Sequence, residues 1–205
     1  MIHYFHGFLG SPEDFSEIKP QGISHSLLSL PTEDQIKEDD TLIGYSMGGR
    51  VATEIAVSKK FQIKKLILLA SHPGIEESER EERILSENKI IHLMEKYPKD
   101  QFLDLWNKLP LFEGDPELTP NNLTQEENLD LFKKFRLSQQ SNFKEVLKKH
   151  KNKVVYVVGE KDHKYKSLAE NFFIKEGFKC HFLPVNHRLI KYPSLLSEIL
   201  QKECE

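Results

Sequence analysis

The sequence has only two cysteines, Cys180 and Cys204, which are too few for the disulfide framework of a small secreted domain. Neither cysteine has a histidine or acidic pattern beside it that would indicate a metal site. The chain also lacks a large charge of one sign, because 29 basic and 32 acidic residues leave a formal net charge of −3. Without a basic stripe there is no surface to follow a phosphate backbone, so we expect no nucleic-acid partner.

Long hydrophobic runs are also missing. No stretch approaches the roughly 20 apolar residues of a membrane span, and residues 1–6 lack the basic segment that begins a secretion signal. We therefore expect a cytoplasmic protein with no membrane partner. The 205 residues, of which 38% are hydrophobic, suit one ordinary domain with a buried core. We predict a single domain over residues 1–205.

Short apolar runs rich in β-branched and aromatic residues recur along the chain and predict strands. Their apolar character is nearly continuous rather than alternating, which is typical of a mainly parallel sheet with helices on both faces. The predicted fold class is therefore α/β. The predicted strands are Ile2–Phe5, Ser26–Leu30, Thr41–Tyr45, Lys65–Leu69, Val154–Val158 and Lys179–Leu183.

The region of about residues 75–150 has no strand-like run, and its charged segments have helical spacing of apolar residues. We interpret it as a helical cap insertion, within which Thr124 and Glu127 form the pattern of a capping box. The connection Thr32–Asp40 is too short for a full crossover helix. Helices are predicted outside the insertion over Arg50–Phe61, Tyr165–Glu176 and Ser194–Lys202.

Gly44-Tyr45-Ser46-Met47-Gly48 is a G-x-S-x-G motif between a predicted strand and a predicted helix. Strand-turn-helix is the setting in which α/β-hydrolases present a nucleophilic serine. The glycines let the backbone crowd around a strained turn, and the start of a helix favours negative charge. A tight turn with an incidental serine is the structural alternative. The context favours Ser46 as a catalytic residue.

A catalytic serine needs a histidine base and an orienting acid, which follow it in the order acid then histidine in α/β-hydrolases. Asp162 comes shortly after the predicted strand Val154–Val158, and His187 shortly after Lys179–Leu183. Both lie where open α/β sheets place their ligands. We predict that Asp162 and His187 complete a triad, although a solvated loop histidine is the alternative for His187.

The loop His6-Gly7-Phe8-Leu9-Gly10 follows the first predicted strand. There the backbone N–H of Phe8, with that of Met47, would bind a developing oxyanion. A glycine-rich loop without a ligand is the alternative.

Several segments together resemble the 2-succinyl-6-hydroxy-2,4-cyclohexadiene-1-carboxylate synthases of menaquinone biosynthesis, which have a compact α/β-hydrolase fold. Arg50 after the double glycine and the Trp106…Pro110-Leu111-Phe112 pattern are more selective than the serine motif. The resembling segments are His6-Gly7-Phe8-Leu9-Gly10-Ser11, Gly44-Tyr45-Ser46-Met47-Gly48-Gly49-Arg50, His72-Pro73-Gly74-Ile75, Trp106 with Leu109-Pro110-Leu111-Phe112, and Gly159-Glu160-Lys161-Asp162.

The resemblance implies a lyase that needs no cofactor and acts on a small anionic metabolite. It would eliminate pyruvate from 2-succinyl-5-enolpyruvyl-6-hydroxy-3-cyclohexene-1-carboxylate, with the triad acting as a base. It further implies that Arg50, Arg83 and Arg136 bind substrate carboxylates, while Tyr45 and Trp106 line the pocket. Guanidinium groups suit this role because they pair with carboxylates bidentately.

Structural roles compete with these assignments. Arg80 and Arg83 lie in an acidic helical segment that resembles a solvated helix with i,i+4 ion pairs, and the choice between them is open. Arg136 could be a helix-surface charge, and Trp106 could anchor the cap to the core.

Two other functions also fit the sequence. A carboxylesterase, such as one cleaving a pimeloyl-carrier methyl ester, would use Ser46 as a true nucleophile. A non-catalytic binding module of the same fold is the other alternative.

Overall fold

A parallel six-stranded sheet forms the centre of the molecule, with strand order β2-β1-β3-β4-β5-β6. The structure is a computed structural model that describes the backbone of residues 1–205 and every side chain except that of Glu33. The sheet confirms the predicted α/β class. The strands are β1 (Ile2–Phe5), β2 (Ile23–His25), β3 (Thr41–Tyr45), β4 (Lys65–Leu69), β5 (Val154–Gly159) and β6 (Lys179–Leu183).

The inner strands of the sheet, β3, β4 and β5, are buried on both faces, which explains their nearly continuous apolar runs. Along β4, Leu66 and Leu68 pack into one apolar cluster, whereas Ile67 and Leu69 pack into a second cluster on the opposite face. All four side chains are fully buried. Successive strand residues point to opposite faces, so a strand covered on both sides is mostly apolar along its whole length.

Seven α-helices are formed by the described residues, and six short 3-10 turns accompany them. The helix that continues α6 is a π-helix over Ala169–Ile174. Within the described part of the chain, no helix is both long and apolar enough to cross a membrane. The helices are α1 (Met47–Ser58), α2 (Glu77–Lys96), α3 (Lys99–Asn107), α4 (Gln125–Lys134), α5 (Lys144–Lys149), α6 (His163–Leu168) and α7 (Pro193–Cys204).

The second predicted strand, Ser26–Leu30, is wrong. The strand is Ile23–His25, and its last residue pairs with Phe5, the last residue of β1. A strand continuing to Leu30 would run past the end of its partner and leave its backbone unpaired. The chain turns instead, with Ser29 N–H donating to Ser26 O, and Leu27 is buried as a loop residue.

Four helices, α2 to α5, fill the region between β4 and β5 where the insertion was predicted. The predicted capping box is confirmed at the start of α4, where Glu127 N–H donates to Thr124 Oγ1 at 3.1 Å and Thr124 N–H donates to Glu127 Oε2 at 2.7 Å. Met94 of α2 and Phe102 of α3 are buried in the same apolar cluster as α1. We propose that this region is the cap of a single domain.

Candidate active site

The turn between β3 and α1 holds Ser46 in a strained conformation, with φ 50° and ψ −110°. Such a turn requires close backbone approach on both sides. A methyl group on Gly48 would lie 2.1 Å from the carbonyl oxygen of Phe5, and one on Gly44 would lie 2.4 Å from the Cα of Gly49. Because neither position has room for a side chain, the glycines of the motif are required by the turn that presents Ser46.

The structure brings Ser46, Asp162 and His187 together. His187 Nδ1 lies 2.6 Å from Asp162 Oδ2, and His187 Nε2 lies 3.2 Å from Ser46 Oγ. Asp162 is the N-cap of α6, and its other oxygen accepts the N–H of Tyr165 at 3.1 Å. The carboxylate is therefore fixed from both sides. Asp162 and His187 are both buried, whereas Ser46 is partly open.

Aromatic rings surround His187. The ring centroids of Tyr165, Tyr45 and Phe112 lie 4.7, 5.5 and 5.7 Å from that of the imidazole. Tyr45 is buried, and its ring lies in a narrow cleft beside Ser46. These contacts leave the imidazole little freedom to rotate, and they exclude water from its faces.

A cavity of about 190 Å³ opens at Ser46, between the sheet and the proposed cap. Phe8 and Met47 line it, and Met47 is the first residue of α1, so its N–H has no intrahelical acceptor. Trp106 also lines the cavity, where it contacts Phe8 at 5.2 Å between ring centroids. The walls further include Arg50, Arg83, Lys164 and Tyr165, with apolar side chains from Ile90, Leu109, Leu111, Phe112, Phe132 and Leu137.

The cavity has cations from both the sheet side and the cap side. Arg50 donates to the carbonyl oxygen of Phe135, and burial lowers the pKa of Arg50 to about 10. Lys164, two residues after Asp162, was not predicted from the sequence. It also lines a second hollow, of about 260 Å³, together with Arg83. Both hollows therefore share Arg83 and Lys164 on their walls.

The structure separates the three candidate cap arginines. Arg83 lines the cavity, whereas Arg80 pairs with Glu77 at 2.8 Å and donates to the carbonyl oxygen of Ser138. Arg136 lies in a neighbouring cleft that it shares with Arg50. The geometry therefore favours Arg83 as the cap arginine that meets a ligand.

Glu87 is a buried carboxylate that the sequence analysis missed. It accepts the Nε–H of Arg83 at 2.7 Å and that of Arg136 at 3.2 Å. It also accepts hydrogen bonds from Ser138 and from the backbone of Leu137. Burial would raise the pKa of Glu87, but the hydrogen bonds from Ser138 and Arg83 outweigh it and lower the pKa. The only sequence signal was the i,i+4 spacing of Arg83 and Glu87.

Arg188, directly after His187, is a second missed residue. Its side chain is fully buried. The guanidinium donates to the carbonyl oxygen of Pro116 at 2.8 Å and to Asn107 Oδ1 at 2.7 Å, and it lies 4.1 Å from the ring centroid of Phe112. No sequence pattern set this arginine apart from the charged residues of other loops. Among the described residues, no cluster of three or more His, Cys, Asp or Glu side chains could hold a metal ion.

Known proteins similar to this chain carry the synthase name. Proteins named 2-succinyl-6-hydroxy-2,4-cyclohexadiene-1-carboxylate synthase from Klebsiella pneumoniae and Salmonella heidelberg are 26% and 28% identical over 143 and 150 residues, covering 63% and 69% of this chain. A Bacillus subtilis protein with the same name, given provisionally, is 35% identical over 78 residues, or 38% of the chain. The resemblance to the synthase family is confirmed. The matches span 54%, 58% and 28% of those three relatives, so the chain covers less than two thirds of each.

Solved structures agree on the fold. MenH from S. aureus superposes with a TM-score of 0.81 at 22% identity, covering all of this chain and 94% of the other. A carboxylesterase from Nitrososphaera gargenis superposes with a TM-score of 0.62 at 13% identity, covering 98% of this chain and 88% of the other. The chain has the α/β-hydrolase fold. No established family profile matches this synthase-like chain.

Proposed function

We propose that the chain is a lyase of menaquinone biosynthesis that eliminates pyruvate from 2-succinyl-5-enolpyruvyl-6-hydroxy-3-cyclohexene-1-carboxylate. One observation carries the proposal: the cavity that holds Ser46 and His187 also presents Arg50, Arg83 and Lys164. A substrate with several carboxylates must meet compensating cations when it leaves water. The similar proteins bear the name of the enzyme for this reaction.

In the proposed mechanism the triad acts as a base. His187, oriented by Asp162, draws the proton of Ser46 so that the serine–histidine pair removes a proton from a ring carbon of the substrate. The electrons of the broken C–H bond shift into the ring, which gains a second C=C bond as the bond from a ring carbon to the enolpyruvyl oxygen breaks. The protonated His187 returns its proton to the departing enolate, so that pyruvate leaves as its enol form. No acyl-enzyme forms. The N–H groups of Phe8 and Met47 would stabilise negative charge on an oxygen of the substrate, which contributes roughly 3–4 kcal/mol per donor in known cases.

The proposal is tested by following pyruvate release with a coupled dehydrogenase. The wild-type chain should release one pyruvate per substrate consumed, and Ser46→Ala should not. If the wild-type chain binds the substrate but releases no pyruvate, the lyase proposal fails.

A carboxylesterase is the second candidate, favoured by the apolar wall of the cavity around Ile90, Leu109 and Phe132. Such a wall suits an acyl chain, and Ser46 would then form an acyl-enzyme. Hydrolysis of a pimeloyl methyl ester, measured beside pyruvate release, separates the two reactions. Efficient ester hydrolysis without pyruvate would replace the lyase by the esterase. Ligand binding with neither reaction would indicate a binding module.

A further inference from the structure

We propose that Arg188 is a positioning residue, whose guanidinium holds the cap wall of the cavity against His187. This proposal rests on the proposed function in one respect, that the cavity at Ser46 is catalytic. The contacts of Arg188 are the same whichever reaction takes place there. Arg188 belongs to the loop that carries His187, whereas every side-chain contact described above for its guanidinium is made to the cap region. It therefore connects the two halves of the site.

The side chain reaches three points of the cap at once. Its terminal nitrogens donate to Pro116 O and to Asn107 Oδ1, and its plane lies over the ring of Phe112. Only a planar, forked group has this reach, which a lysine ammonium lacks. Asn107 in turn bonds both the N–H and the carbonyl oxygen of Leu118, so the contact extends further into the cap segment.

Backbone and neighbouring side chains of the histidine loop reinforce the same contact. The N–H of Arg188 donates to Asp115 Oδ2 at 2.8 Å, and the hydroxyl of Tyr192 donates to Asp115 Oδ1 at 3.2 Å. Asn186 donates from its side chain to the carbonyl oxygen of Glu113 at 2.8 Å. Residues on each side of His187 are therefore bonded to one cap segment, residues 113–116.

The position of residues 113–116 determines where the neighbouring ring of Phe112 lies relative to the imidazole of His187. Phe112, on which Arg188 lies, contacts His187 and also Trp106, at 5.6 Å between ring centroids. Trp106 precedes Asn107, the acceptor of Arg188. Loss of the guanidinium would therefore allow Phe112 and Trp106 to move together. Such a movement would displace a bound substrate, and a displacement of about 1 Å can lower the rate roughly 100-fold.

A purely structural role explains these contacts less well. Burial lowers the pKa of Arg188, and its Nε–H has no acceptor among the described residues. Burying a charged group with an unpaired donor costs desolvation free energy, whereas an apolar side chain of similar volume is often as stabilising. Packing alone therefore does not explain the guanidinium, but a role in fixing the geometry of the cap wall does.

The test uses the single tryptophan of the chain, Trp106, as a probe of the cap wall. We would compare Arg188→Met and Arg188→Lys with Lys191→Met, which removes a positive charge from the same loop. Arg188→Met should shift the emission of Trp106 to the red and increase its quenching by acrylamide at temperatures where the chain is folded. Arg188→Lys retains the positive charge but should show the same red shift as Arg188→Met. Lys191→Met should have the emission wavelength of the wild type. Wild-type emission in Arg188→Met would overturn the proposal.

Kinetics supply the second readout. With whichever Ser46-dependent reaction the wild type performs, Arg188→Met should lower kcat by about 10- to 100-fold. Lys191→Met should leave kcat within about twofold. Equal melting temperatures with unchanged kcat in Arg188→Met would overturn the positioning role.

Failure of this proposal is distinguishable from failure of the proposed function. If the wild type releases no pyruvate, the lyase proposal fails, while the emission of Trp106 still tests the role of Arg188.

If Arg188→Met does not fold, Asn107→Ala takes its place, because it removes only one of the two acceptors of the guanidinium. Asn107→Ala should show a smaller red shift and a smaller loss of kcat than those expected for Arg188→Met. Wild-type behaviour of Asn107→Ala would overturn the proposal.

Discussion

Glu87→Gln offers a direct test of how the cap holds its arginines. The carboxylate is fully buried and accepts from two guanidinium groups whose side chains are 25% and 15% exposed. The variant keeps the shape of Glu87 but replaces one accepting oxygen with a donating amide, which must then face a guanidinium. Breaking a buried ion pair costs roughly 3–5 kcal/mol. Because both guanidiniums retain some contact with water, we expect a loss of about 2–3 kcal/mol in the free energy of unfolding.

For a chain of this size, that loss corresponds to a fall of about 4–12 °C in melting temperature. Urea unfolding followed by circular dichroism at pH 7 measures the free energy itself. Glu95→Gln is the matched control on the same helix, because Glu95 pairs with Lys133 at 3.1 Å with both side chains about half exposed. That variant should change stability by less than about 1 kcal/mol.

The pH dependence gives a second, independent check. The pKa of Glu87 is lowered in the folded chain, so its stabilisation is present above the ordinary glutamate value of 4.5 and is lost as the pH falls through the lower folded value. The difference between wild type and Glu87→Gln should therefore be full at pH 7 and shrink below about pH 4.5. A difference that is equal to that of Glu95→Gln, or that grows in acid, would refute the reasoning.

Three further predictions concern the site. Ser46→Ala should abolish turnover without changing thermal melting, and near wild-type turnover would exclude Ser46 from the chemistry. Arg50→Ala should lower kcat/KM by roughly 100-fold or more, since it removes a desolvated carboxylate partner; an unchanged kcat/KM would remove Arg50 from the binding site. Gly48→Ala should prevent stable folding or distort the serine turn, because its methyl would lie 2.1 Å from the carbonyl oxygen of Phe5. Folded, fully active Gly48→Ala protein would contradict that geometry.

The fold was predictable where local pattern and tertiary burial agree. Four strands have the predicted bounds, and β5 is one residue longer than predicted. The strand prediction for Ser26–Leu30 failed because hydrophobicity alone does not indicate where a partner strand ends. Leu27 is buried as a loop residue, and Leu28 is 45% exposed. The helix predicted at Arg50–Phe61 begins instead at Met47, within the turn itself, and ends at Ser58 before the positive φ of Lys60 and Phe61.

The sequence predicts those residues of the site that directly follow strands of the parallel sheet. Ser46, Asp162 and His187 each follow a parallel strand, so one sheet edge gathers them, although their catalytic roles remain predictions. Glu87 and Arg188 were missed because their significance lies in contacts such as Glu87–Leu137 and Arg188–Asn107, which join residues 50 and 81 positions apart along the chain. Periodicity and motif spacing carry no information about such contacts.

The cap region between β4 and β5 has an evolutionary consequence. Ser46, Asp162 and His187 come from segments attached to the sheet, whereas Arg83 and Trp106 come from this one continuous stretch. Substitutions at Arg83 and Trp106 can therefore change the cap wall of the cavity while the sheet and the serine turn stay unchanged.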